Sequence, residues 1–344
     1  MKAAVLKGVG EIVLEDIPVP NVGSDEALVE VKYCGICGTD VAAYKVPGFL
    51  QPGTFLGHEF SGIITKIGRD VRGWEVGTRV AVTPNYQCGK CYRCTHGWVN
   101  LCERMMECIG CVTQYGGAFA KYVKVPQAEK RLHVLPDEVS FEEGALVDPL
   151  ATALHAIRIS SFRSGDLTAV LGAGPVGLGV IFFLRRSNAG LVIVIEVNER
   201  RRQLARKFGA DYILNPNTTP NLREEILKLT NGRGVNQVFD CSGAPRAFQS
   251  AVGFLRPRGQ IVVIGLIFDE VAIQPATFTL GEFSLQGSVI YSDEFQTVID
   301  LLRKERFPIE EMVTRIRLDE IAEKGFEVLA TPNCDKVKIL VSPD

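Results

Sequence analysis

Cys37, His58 and Glu59 bring a thiolate, an imidazole and a carboxylate into one short stretch of chain, with Gly38 after the first and Gly57 before the second. These are the three kinds of side chain that bind zinc well. Three protein ligands leave a fourth position for water or substrate, which is the arrangement of a catalytic metal. A different set follows. Cys88, Cys91, Cys94 and Cys102 read C-x2-C-x2-C-x7-C. Two intervening residues let a tight turn bring neighbouring sulfurs to one ion, and the longer return closes a tetrahedron. Four thiolates with no open position make a structural zinc site. An iron–sulfur cluster uses the same four thiolates and stands as the alternative at this point.

A third constellation could hold phosphate. Leu167 to Leu171 is an apolar run that ends in Gly172-Ala173-Gly174-Pro175-Val176-Gly177, and a helix-like segment follows to Leu184. G-x-G-x-x-G between strand and helix is the context in which that pattern binds a dinucleotide. Gly172 permits the turn, Gly174 lets backbone approach a pyrophosphate, and Gly177 lets helix and strand pack closely. The phosphate charge then meets the helix N-terminus. Glu196 closes the next strand and suits the hydroxyls of an adenosine ribose. A 2′-phosphate there would meet a like charge, so NAD is expected over NADP. Arg201, with Arg200 and Arg202, starts the following helix; it is a candidate for the cofactor, against the plainer reading of a solvated helix face.

The elements that position these groups fall into two kinds. In the first ~145 residues, short β-branched or alternating runs (Ala27 to Tyr33, Gly62 to Ile67, Arg79 to Val82) are punctuated by Gly and Pro. They predict a small β-barrel-like domain with the metal sites on its loops. After Pro149 strands and helices alternate. The strands are Leu167 to Leu171, Leu191 to Glu196, Asp211 to Leu214, Val235 to Asp240, Gln260 to Gly265 and Ser284 to Ile290. That pattern predicts an α/β doubly wound parallel sheet. From Asp293 the pattern predicts two amphipathic helices and a last strand, Lys336 to Val341, returning to the first domain. The expected division is 1–148 with 291–344, and 149–290.

Composition excludes several classes. Lys+Arg 38 against Asp+Glu 40 in 344 residues gives a net charge of -2, with no basic excess for nucleic acid or an anionic membrane. The most apolar stretch, Val170 to Leu184, is broken by four glycines and ends at Arg185-Arg186, too short to span a bilayer. Met1 to Val5 opens a strand-like run with no signal core, so a cytoplasmic location is expected.

With these pieces together the chain resembles the zinc-containing medium-chain alcohol/polyol dehydrogenases over essentially its whole length. The resemblance rests on Cys34-Gly35-Ile36-Cys37-Gly38-Thr39-Asp40, Gly57-His58-Glu59-Phe60-Ser61-Gly62, the four-cysteine lobe, Val147-Asp148-Pro149-Leu150 and the glycine turn. It implies a GroES-like β-barrel catalytic domain packed on a Rossmann domain, with the active site in the cleft between them. It implies catalytic zinc on Cys37, His58 and Glu59, and dimers or tetramers. Thr39 matches the hydroxyl that relays the substrate proton. Asp40 matches the carboxylate that orients the zinc-binding histidine, a role with its own logic. Asp148 stands at the family's zinc-proximal carboxylate, and Thr152 near the nicotinamide.

Three positions depart from the family pattern. Asp148-Pro149 stands where polyol and threonine branches usually carry Glu-Pro, and the shorter side chain reaches the zinc only through water. Ala42 stands where many relatives have histidine, so water would end the proton relay. Ile290-Tyr291 replaces the Arg-Tyr of sorbitol dehydrogenases, which removes a hydroxyl-binding arginine. The stretch Tyr291 to Phe295 and the stretch Ile316 to Glu320 are similar to butanediol- and sugar-acid-dehydrogenase members. The implied reaction is hydride transfer between NAD and a secondary hydroxyl of a polyol, diol or sugar acid. L-threonine 3-dehydrogenase is one alternative, and a non-catalytic NAD- and zinc-binding protein another. Cys108 and Cys111 form a further C-x2-C, read as two semi-buried thiols, and His155 is read as a packing residue.

Overall fold

The computed structural model describes residues 1–332 and 334–343. The chain divides into two compact units, Met1–Asp148 with Phe295–Asp344, and Pro149–Glu294. The second unit ends at Glu294, whose side chain lies 3.1 Å from His155 of the same unit.

The discontinuous unit is built on a seven-stranded sheet. Its order is Val313–Arg317, Lys338–Ser342, Ala27–Gly35, Glu59–Ile67, Arg79–Val82 and Leu132–Val134, with Tyr122–Val125 also paired to Ala27–Gly35. Lys2–Gly8 and Glu11–Asp16 form a separate hairpin. Alternation drives the burial: Val29, Val31, Phe60, Ile64, Val80, Val82 and Val123 enter one core with Ile339 and Val341 of the last strand. That strand therefore returns to the first unit, as its pattern predicts.

The tail before it differs from expectation. A single regular amphipathic helix, Glu294–Lys304, is followed by a strand, Val313–Arg317. A second helical stretch begins in 3-10 and π geometry at 318–326 and ends with Glu327–Ala330. The run Val-Thr-Arg-Ile-Arg alternates at period two. It pairs in parallel with Lys338–Ser342, and Arg315 reaches Glu142 at 2.5 Å.

The second unit is an all-parallel six-stranded sheet in the order Tyr212–Leu214, Leu191–Ile195, Leu167–Leu171, Val235–Asp240, Leu255–Val263 and Ser284–Gly287. The order reverses at Leu167–Leu171, where a doubly wound sheet opens its ligand crevice. Asn198 and Asn221 cap the helices Glu199–Lys207 and Leu222–Leu229, their side chains accepting N–H bonds from Arg201 and Glu224, each at 3.1 Å. Among the described residues no helix is long and apolar enough to cross a membrane.

His155 does more than pack. Its Nδ1 lies 3.1 Å from Glu294 Oε1, and the Ser292 N–H donates to Glu294 Oε2 at 2.9 Å. Burial alone would raise the Glu294 pKa; the bonds from His155 and Ser292 override it and hold the carboxyl down to about 2. A carboxylate depressed on folding stabilises above its ordinary range, and that stability is lost as pH falls from about 4.5 towards about 2. Glu294→Gln should therefore cost roughly 3 kcal/mol at neutral pH and flatten stability across that acid window, read by urea unfolding between pH 2 and 7.

Candidate active site and metal centres

Three neighbouring pieces of backbone bring the first ligand set together. Cys37 follows the strand Ala27–Gly35 and caps the helix Gly38–Lys45. Glu59 opens the strand Glu59–Ile67 and is paired with Gly35 across the sheet, with His58 just before it. One ligand atom from each of Cys37, His58 and Glu59 lies within 4.8 Å of the others. His58 and Glu59 are buried and Cys37 is half-buried. One sulfur, one nitrogen and one oxygen at that separation fit zinc.

Asp40 orders two of the three. Its Oδ2 accepts the Cys37 N–H at 2.9 Å, and its Oδ1 lies 3.5 Å from His58 Nδ1. Burial pushes the His58 pKa down, but Asp40 and Cys37 push it up further, to well above its ordinary value. An imidazole ringed by a thiol and carboxylates is a place short of positive charge, and a divalent ion supplies it. The Thr39 hydroxyl lies 3.6 Å from Cys37 Sγ and is half-buried.

One participant was not legible beforehand. The Lys338 ammonium is bonded to the Glu59 carboxylate and donates to the Ile36 carbonyl at 3.0 Å, with both side chains of the pair almost fully buried. The partners stand 279 residues apart in sequence. Only the parallel pairing of the last strand beside Val313–Arg317, and its antiparallel pairing with Ala27–Gly35, delivers the lysine there. Burial lowers the Lys338 pKa, and Glu59, followed by Cys37, raises it above the ordinary value, so it remains an ammonium.

Asp148 is half-buried and is not one of the Cys37, His58 and Glu59 group. Asp148 and Thr152 lie a turn apart on the helix Val147–Arg158, where Pro149 is tolerated in the first turn.

The Cys88, Cys91, Cys94 and Cys102 sulfurs also gather within 4.8 Å. Backbone N–H groups turn inward on them: Cys91 to Cys88 Sγ at 3.2 Å, Cys88 and Arg104 to Cys102 Sγ at 3.4 Å, and Cys94 to Cys91 Sγ at 3.5 Å. Donors from Lys90 and Cys91 hold the Cys88 thiol down to about 6, while burial pushes Cys94 up to about 12. Sulfurs that accept backbone N–H bonds and crowd on one point suit a cation, which takes them as thiolates. His96 stays outside, exposed, its ring stacked on Tyr92 at 4.0 Å. Cys91→Ser should halve the metal content from two zinc sites per chain to one and cost more than about 3 kcal/mol, the size of effect that metal loss produces. Atomic absorption and calorimetric melting check this; an unchanged melting temperature with that zinc gone would remove its structural role.

Cys108 and Cys111 correct the sequence reading. They are joined in a disulfide rather than standing as two thiols, because the intervening turn holds their Cα atoms 5.4 Å apart, within bonding range.

In the second unit the glycine turn has the shape a pyrophosphate needs. Gly172 has φ +85, a Cβ on Gly177 would overlap the Gly172 carbonyl, and a Cβ on Gly174 would meet only open space. Pro175 then starts the helix Pro175–Arg186 with Gly174 as its N-cap. Val176 lies in the first turn, where unpaired N–H groups face an anion. Glu196 is buried, and both its oxygens already accept main-chain N–H bonds, from Ala173 at 2.7 Å and Asn198 at 2.8 Å. It thus braces the glycine turn. Arg202 folds back on the Glu196 and Val197 carbonyls at 3.1 and 2.5 Å. Arg201 differs: its Nε is buried with no hydrogen-bond partner in the protein, as a ligand-facing donor would be.

Comparison with known proteins agrees with this geometry. Residues 175–304 match the family described as zinc-binding dehydrogenase, and residues 23–137 match the alcohol dehydrogenase GroES-like domain. The chain is 34% identical to (R,R)-butanediol dehydrogenase of Bacillus subtilis (strain 168) over the full length of both. It is 32% identical to sorbitol dehydrogenase of the same organism, over 100% of this chain and 98% of that one. The crystal structure of 2R,3R-butanediol dehydrogenase from Bacillus subtilis superposes with a TM-score of 0.90 at 35% identity, covering 100% of this chain and 99% of the other. The four-thiolate lobe and the Cys37, His58 and Glu59 group are accordingly zinc sites, and the cofactor is NAD(H). A catalytic zinc triad, a closed four-cysteine lobe and a glycine turn on a parallel sheet, matched along the whole chain, place this protein in the zinc-containing medium-chain alcohol/polyol dehydrogenase family.

Proposed function

We propose that this enzyme transfers a hydride between NAD and the secondary hydroxyl, or ketone, of a vicinal diol, polyol or sugar acid. The observation that carries the reading is the Cys37, His58 and Glu59 group with Asp40 bridging two of its members. Similarity to diol and polyol dehydrogenases supports the substrate class. The unit Pro149–Glu294 holds the dinucleotide, and the discontinuous unit carries the zinc chemistry.

Cys37, His58 and Glu59 would hold a zinc ion that would supply a Lewis acid for the substrate hydroxyl, and bound NAD would supply the hydride acceptor. The protein's part is position and proton handling. Asp40 holds the Cys37 amide and fixes the His58 ring. Thr39 Oγ1, half-buried beside Cys37 Sγ, accepts the substrate O–H proton and donates its own outward. Ala42 offers no side-chain base, so that proton passes to water. Asp148 assists through solvent near the metal, and Thr152 flanks the nicotinamide. Gly172, Gly174, Pro175, Val176 and Gly177 cradle the pyrophosphate, while Glu196 and Arg201 receive the adenosine ribose.

We further propose a homodimer or homotetramer in the cytoplasm, where reducing conditions keep the cysteine lobe ready for metal. Ser284–Gly287 is an edge strand of the parallel sheet. Leu285 on it is 46% exposed and Leu280 nearby is 88% exposed, the kind of open edge a second copy covers. The test of function is NAD and NADP reduction by zinc-loaded protein with 2,3-butanediol, sorbitol, xylitol, aldonates, uronate-type acids and L-threonine. Turnover of one polyhydroxy substrate with NAD, abolished by chelation, is the expected result. Turnover of L-threonine alone would move the assignment to an amino-acid dehydrogenase, and no turnover at full zinc content to a binding role.

A further inference from the structure

Cys108 and Cys111 carry chemistry that the proposed reaction leaves unused. Their disulfide closes a turn of two residues, Ile109 and Gly110. Cys108 is buried and Cys111 half-buried, so one sulfur is open to a small thiol. The turn is anchored to its surroundings by two backbone bonds and closed by a third. The Ile109 N–H donates to the Pro84 carbonyl at 3.1 Å, the Gly110 N–H to Gly116 at 2.8 Å, and the Cys111 N–H to Cys108 at 3.3 Å.

What the turn presses against is the metal site. A Cβ on Gly110 would overlap the Gly57 carbonyl, so the two backbones meet with no side chain between them. Gly57 sits at φ +96 and its carbonyl accepts the Ala118 N–H at 2.8 Å. The next two residues are His58 and Glu59. A shift of the Cys108–Cys111 turn is therefore passed to a backbone that carries two of the three metal ligands, through contacts too close-packed to absorb it.

We propose that Cys108 and Cys111 are a reversible dithiol–disulfide pair, exchanged by small thiols and disulfides of the glutathione class, whose state sets how firmly Gly57 holds His58 and Glu59 around zinc. The coupling rests on the metal assignment above. In the oxidising direction the Cys111 thiolate attacks one sulfur of glutathione disulfide, forming a mixed disulfide and releasing one glutathione thiolate. The Cys108 thiolate then attacks the Cys111 sulfur and releases the second. Two electrons pass from the protein dithiol to the small disulfide. The two protons lost by the cysteines end on the released glutathione thiols.

The experiment uses zinc-loaded, full-length protein equilibrated across a series of glutathione to glutathione-disulfide ratios. It is quenched in acid, alkylated and digested with trypsin. Cleavage after Arg104 and Lys121 gives a peptide holding Cys108 and Cys111 and no other cysteine. The expected result is a reversible passage of that peptide between doubly alkylated and internally bonded forms, with the zinc-bound cysteines unchanged. The second readout is zinc transfer to a chromogenic chelator. Cys37→Ser protein supplies the background from the four-cysteine lobe. Transfer from the catalytic site should differ about tenfold between oxidised and reduced protein, the lower end of what groups supporting metal ligands do to affinity. Cys111→Ser should hold it at the reduced value whatever the ratio. A peptide that is doubly alkylated at every ratio, or one that bonds and does not reopen, overturns the redox pair. Equal transfer rates overturn its coupling to the metal. Neither readout measures turnover, so a wrong substrate assignment leaves both intact.

Discussion

Cys37→Ser is expected to lower kcat/KM by more than about a thousandfold, roughly 4 kcal/mol of transition-state stabilisation, with the fold retained. A serine hydroxyl does not ionise to become a metal ligand as a thiol does, so the group falls from three donors to two. The fold should hold because Cys37 is also the cap of the helix Gly38–Lys45, and serine is a preferred residue at such a position. Metal analysis should read one zinc per chain, held in the cysteine lobe, and circular dichroism should be unchanged. The same variant therefore separates chemistry from stability, the reverse of Cys91→Ser. Normal turnover in Cys37→Ser protein shown to lack that zinc would falsify the catalytic assignment.

Lys338→Met carries the second large effect, and its size should depend on metal. Removing the ammonium leaves the buried Glu59 carboxylate without its counter-ion and the Ile36 carbonyl without its donor. Breaking one side of a buried ion pair costs about 3–5 kcal/mol, more than the pair itself contributes. In zinc-free protein that full cost should appear in urea unfolding. In zinc-loaded protein the ion neutralises the same carboxylate, so the loss should shrink clearly. The double variant Lys338→Met/Glu59→Gln should recover much of the zinc-free stability, since no charge is then stranded. Equal melting of Lys338→Met and the parent protein in the zinc-free state would show that the pair is not held as the structure has it.

Lys338 also marks the limit of what spacing can tell. Leu167 to Leu171, Val235 to Asp240 and the glycine turn were legible because each is a local pattern: a short apolar strand, then a turn whose backbone only glycine allows. The zinc ligands were legible because metal chemistry restricts them to few residue types. Lys338 sits in an otherwise apolar strand, and nothing near it in sequence calls for a cation; its partner arrives through sheet pairing. Val313–Arg317 was hidden for a related reason. It is short and flanked by charged helical segments, and its register is set by Lys338–Ser342 rather than by its own residues. Asp148 is not one of the Cys37, His58 and Glu59 group, and its position in the sequence does not say how far its side chain reaches. The Cys108–Cys111 bond was invisible because two residues between cysteines permit a free pair, a metal knuckle or a disulfide alike.

The discontinuity of the first unit also bears on how the protein is made. Met1–Asp148 leaves the ribosome early, with both zinc-ligand sets present, yet its sheet lacks Val313–Arg317 and Lys338–Ser342. The continuous unit Pro149–Glu294 has all its strands in hand as soon as it is synthesised and can fold first. The sheet that carries the zinc ligands closes only when the last strand inserts beside Ala27–Gly35, a pairing across nearly the whole chain and therefore slow. Until then Glu59 has no ammonium beside it and its neighbours are open to water. Closure of the catalytic metal site in this way waits on the pairing of Lys338–Ser342, whereas the cysteine lobe, local in sequence, needs no such distant strand.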